Sequence, residues 1–109
     1  MKSILVLVSA LAFAGNTLAN PIIHAECSAV FKATAITMAK ESPDMSAIAR
    51  RFSDRFKYRA DAEIGSATAT HFYVKKMDEM TANLRAGAGT GISKDELKYC
   101  LDLAKSYGM

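Results

Sequence analysis

Cys27 and Cys100, the only cysteines of the 109-residue chain, lie near opposite ends of its stretch 20–109. If they pair, any fold must bring its two ends together. Pairing is the default in an oxidising compartment, and the N-terminus points to one. Met1-Lys2-Ser3 carries a positive charge, and Ile4 to Ala14 is an uninterrupted run without charge. Small or uncharged residues follow up to Ala19. This is the layout of a secretory signal peptide over 1–19, with the cut after Ala19 and a second choice after Ala14. The run is shorter than the ~20 residues of a spanning helix. His24-Ala25-Glu26 before Cys27 is not the small apolar lead-in of a lipoprotein cysteine. The reading is therefore an exported protein, periplasmic or secreted, with one domain over 20–109 closed by a Cys27–Cys100 disulfide.

Half of the residues are apolar, 23% are charged and none is Trp, and the net charge is only +3. That balance excludes a disordered or low-complexity chain. It is also too mild to argue for nucleic acid.

Four segments carry helical periodicity, and none alternates at period two, which predicts an all-α antiparallel bundle of about four helices. The first runs from about Ile22 to Lys40, with Ile23, Cys27, Val30, Phe31, Thr34 and Met38 on one stripe. Its other side carries Ala29, Ala33 and Ile36 and little charge. A helix apolar nearly all round belongs at the centre of a bundle. The competing reading makes Ala29, Ala33 and Ile36 a contact face for a second copy. Ser42-Pro43-Asp44 opens the second segment as N-cap, first-turn proline and first-turn acid. Met45, Ile48, Ala49, Phe52, Phe56 and Ala60 share its inner face, and Arg59 is expected to pair with Glu63 four residues on. Gly65-Ser66 breaks or bends the helix there.

The third segment, from about Ala67 to Ala86, has Tyr73, Met77, Met80 and Leu84 as its inner stripe and stops at Gly87. The fourth begins with a capping box, Ser93-Lys94-Asp95-Glu96, flanked by Ile92 and Leu97 as a hydrophobic staple. Leu97, Cys100, Leu101 and Ala104 face inward, and Gly108 ends it. In up-down order the first and last helices are neighbours, which suits the disulfide.

Catalytic signatures are weak. Gly87-x-Gly89-x-Gly91 lacks the lysine of a phosphate loop and reads as a hinge. His24 and His71, the only histidines, are expected on the surface. Met77 and Met80 have thioethers suited to copper, but on an inner stripe they read as core. Neither a metal nor a cofactor is expected, and the protein is read as non-catalytic. The surface that stands out is Arg51, Arg55 and Tyr58 on one flank of the second helix. Arginine forks grip carboxylates and phosphates, and tyrosine adds an amphipathic contact. The expected function is binding a protein of the cell envelope, in the manner of an inhibitor, immunity or chaperone-like protein. The alternative is an envelope ligand binder for a metal such as copper or an anionic headgroup, including an anionic membrane surface.

Overall fold

The computed structural model describes residues 20–87 and 89–109. The signal-peptide reading of 1–19 lies outside them. Among the described residues there are four helices and no strand: α1 Pro21–Met38, α2 Pro43–Ile64, α3 Ser66–Arg85 and α4 Lys94–Ser106.

α1 starts where Asn20 accepts a hydrogen bond from the Ile22 amide at 2.8 Å and Pro21 occupies the first turn. Both are strong helix-start signals. α1 packs against α2, α3 and α4, the central placement that its all-round apolar surface anticipates. Ala29 is accordingly buried, Ala33 is half-buried, and only Ile36 of that trio stands out to solvent.

Small residues let α1 and α2 approach closely. The Ser28 hydroxyl donates to the Ser53 carbonyl at 2.7 Å, and the Ser53 hydroxyl donates to the Ser28 carbonyl at 2.8 Å. One end of this seam is Ser46, whose hydroxyl donates to the Ala35 carbonyl. At the other, Ala25, Ala60 and Ala69 meet as a second small core. The pairings run in opposite senses, so α1 and α2 are antiparallel. Ser42 is the N-cap of α2 by position, but its side chain makes no cap bond; its backbone carbonyl accepts from Ser46 instead.

Gly65 breaks the chain between α2 and α3. Its φ of +87° and ψ of +148° lie where a side chain is strained,. A single residue thus turns the corner, and α3 runs back beside α1.

The main core gathers Phe31, Phe56, Val30, Met80 and the disulfide. Phe31 packs on Phe52 and Phe56 at centroid distances of 5.3 and 5.5 Å, within the range of favourable aromatic pairs. Cys27 and Cys100 are bonded, with Cα atoms 5.5 Å apart, and clamp α4 to α1. Leu84 and Leu101, expected inside, are 53% and 45% exposed. Met45, also expected inside, is half-exposed: it lies in the first turn of α2, beyond the Ser46 end of the seam.

The capping box is divided. Ser93 accepts from the Glu96 amide at 3.3 Å. The Glu96 carboxylate does not return to its own helix start; it accepts from Lys76 Nζ at 2.5 Å, tying α4 to α3. Lys76 also meets Glu79 at 3.3 Å, and its side chain is only 6% exposed. Burial draws its ammonium pKa down, but the hydrogen bonds and charges of Glu96 and Glu79 outweigh this and hold it above the usual lysine value,.

Candidate functional site

Phe52, Ser53, Phe56 and Ala60 face inward and fix the rotation of α2. Arg51, Arg55 and Tyr58, at i, i+4 and i+7, therefore share the outer flank and are all exposed,. Tyr58 is 78% exposed, the highest value for a large apolar side chain among the described residues. No carboxylate of the described residues lies within 4.0 Å of the Arg51 or Arg55 guanidinium.

Arg55 and Tyr58 line an open cleft of about 540 Å³ together with Asp54, Arg59, Tyr107 and Met109. Arg51 lies one turn earlier, outside that lining. The Arg59 guanidinium sits 3.8 Å from the Tyr107 ring centroid, a cation–π contact. The expected Arg59–Glu63 pair does not form, because Glu63 is engaged by His24.

His24 was expected on the surface and is instead buried, with a side chain 3% exposed. Its Nδ1 lies 2.6 Å from Glu63 Oε1, and its Nε2 lies 2.6 Å from the Tyr107 hydroxyl. An ionised carboxylate only accepts, so Nδ1 carries the hydrogen; in the neutral ring Nε2 then accepts from Tyr107. Both ring nitrogens are satisfied, which is what permits burial. Desolvation raises the Tyr107 phenol pKa; Arg59 opposes this, while Glu63 and Tyr99 add to it. The His24 set fixes the end of α4 and so positions Tyr107 in the wall of the cleft.

A second groove adjoins the first through Met109. It holds about 600 Å³ between α2 and α4. Phe52, Leu97, Leu101 and Ala104 supply its apolar lining, and Lys94, Lys98 and Lys105 its charged edge. Lys98 pairs with Asp102 at 2.8 Å. That hydrogen bond raises the Lys98 pKa and lowers that of Asp102. This groove escaped sequence reasoning, which placed Leu101 in the core. The available signal was the recurrence of lysine at 94, 98 and 105, one helical face.

Met77 is half-buried and Met80 buried, and both border a small cleft of about 140 Å³ with Ala33, Ile36 and Leu84. His71 is exposed and meets Phe72 edge-on at 5.1 Å. Among the described residues no three or more of His, Cys, Asp and Glu gather as a metal site, and no helix is long and apolar enough to cross a membrane.

No protein family, curated protein or solved structure matches the chain.

Proposed function

We propose that the protein is exported and acts by binding an envelope protein with an acidic surface, through the Arg51, Arg55 and Tyr58 flank of α2. The observation that carries this reading is the exposed Tyr58 side chain on the same flank as Arg55, both lining a cleft that Tyr107 also lines. Tyrosine and arginine are the residues that concentrate binding energy at interfaces. Among the described residues these arginines have no ion-pair partner to give up, so a carboxylate from outside meets them at low desolvation cost,. The disulfide supports export, since such bonds persist in oxidising compartments. Binding rather than catalysis is the activity proposed.

The test is a photoreactive phenylalanine analogue at position 58, irradiated in cells. A discrete cross-linked partner is expected, and it is lost when Arg51→Glu and Arg55→Glu are added. No cross-linked species, or one indifferent to the charge reversal, rejects this assignment.

A further inference from the structure

The partner reading leaves the α2–α4 groove unexplained, and its charges are arranged in an informative way. Lys94, Lys98, Leu101 and Lys105 follow one another along one stripe of α4, with Leu97 and Ala104 on the side toward the groove floor,. The stripe spans roughly 17 Å at ~1.5 Å per residue, with Leu101 between its lysines. Lys98 is neutralised by Asp102. Lys94 and Lys105, near the two ends of α4, have no ion-pair partner within 4.0 Å among the described residues.

We propose that this groove receives an acidic amphipathic helix of the partner protein, its apolar side chains against Leu101 and Phe52 and its carboxylates along the Lys94 to Lys105 ridge. The inference rests on the partner-binding reading and extends it from α2 to α4. Charge complementarity selects the occupant. A single-headed amphiphile needs its positive charge at one end of a trough, whereas here the two unpaired lysines lie near opposite ends of α4. A helix with apolar residues against Phe52, Leu97 and Leu101 and acids toward its two ends matches this arrangement. An amphipathic helix laid in a hydrophobic groove is an established mode of peptide recognition. Met109 borders both grooves, so one partner element can span from the α4 ridge to Arg55 and Tyr58.

The test uses ¹⁵N-labelled protein and a synthetic peptide of about 14 residues, with leucines at helical spacing and glutamates elsewhere. Saturable shifts are expected at the amides of Phe52, Leu97 and Leu101. Leu101→Gln, and separately Lys94→Gln with Lys105→Gln, should each weaken binding about tenfold. Leu101 is half-exposed and both lysines are at the surface, and an unchanged thermal melt of each variant shows that the fold is kept. Equal binding of a peptide with lysine in place of every glutamate would overturn the proposal. So would absence of binding, or the same shifts produced instead by dodecyl phosphate or phosphatidylglycerol vesicles. If the Tyr58 cross-link forms in full yield at limiting partner in Leu101→Gln and in the double lysine variant, the groove assignment fails and the α2 reading stands. If the cross-link is also absent from the parent protein, both fail.

Discussion

The Tyr107 hydroxyl lies 2.6 Å from His24 Nε2, joining two side chains 83 residues apart in the chain. This contact reinforces the α1–α4 junction one to two turns beyond the disulfide. Tyr107→Phe keeps the ring under Arg59 and removes only the donor, leaving a buried nitrogen unsatisfied. The expected loss is about 1–2 kcal/mol, read from denaturant midpoints. Glu63→Gln should cost less, because the amide oxygen still accepts from Nδ1–H.

Stability is expected to fall in alkali. The Tyr73 phenol is raised by burial and then by the Asp54 charge, and Tyr107 is raised chiefly by burial. Burial lowers the Lys76 value, and Glu96 and Glu79 together more than reverse this and raise it. A group whose pKa is higher folded than unfolded contributes stability that is complete below the unfolded value and disappears as pH rises through the folded one. All three act in that direction, so unfolding midpoints should drop as pH passes 10.0, the ordinary phenol value, and then the lysine value. Tyr73→Phe should flatten the first part of that fall. There is no free cysteine among the described residues to complicate the measurement.

Reduction of Cys27–Cys100 releases a closed loop with a sequence separation of 73. On the chain-entropy account this costs about 4 kcal/mol. For a domain of this size the melting temperature should fall by roughly 15–30 °C. Calorimetry with and without reductant measures it, and Cys27→Ser with Cys100→Ser should reproduce the reduced value.

Gly65→Ala and Gly91→Ala should differ. Both glycines have positive φ, +87° and +81°. A Cβ at Gly65 meets nothing within 4 Å, so its cost is backbone strain alone, about 1–3 kcal/mol,. A Cβ at Gly91 would run into the Met80 carbonyl oxygen and lie 3.2 Å from Leu84. Gly91→Ala must therefore displace the α3–α4 connection and should be the more destabilising, as comparative urea melts will show.

Charge reversal at Arg51 and Arg55 should leave stability within ~0.5 kcal/mol, since neither side chain is buried or ion-paired in the described structure. Thermal melts matched to the parent protein would separate a binding defect from a folding defect.

Local sequence carried the architecture further than the site. The Ser93 cap, Pro43, the Gly87 and Gly108 stops and the cysteine pair each act within a turn or by a single long-range bond, and each is where periodicity puts it. The burial of His24 depends on Glu63 and Tyr107, which only the folded chain brings to it. The same contacts draw Glu63 away from Arg59. Lys76 is buried by carboxylates on its own helix and on α4. Leu101 and Leu84 satisfy the inner spacing, yet both border open grooves rather than close contacts. Periodicity gives the direction a side chain takes from its helix, not whether another helix waits there.

The disulfide joins residues on either side of the α3–α4 connection, 86–93. A protease that nicks this connection would produce two polypeptides still held as one molecule, with α4 retained on α1. Such a nicked form would run intact on a non-reducing gel and separate only under reductant, so cleavage there need not release the Lys94–Lys105 ridge from the rest of the bundle.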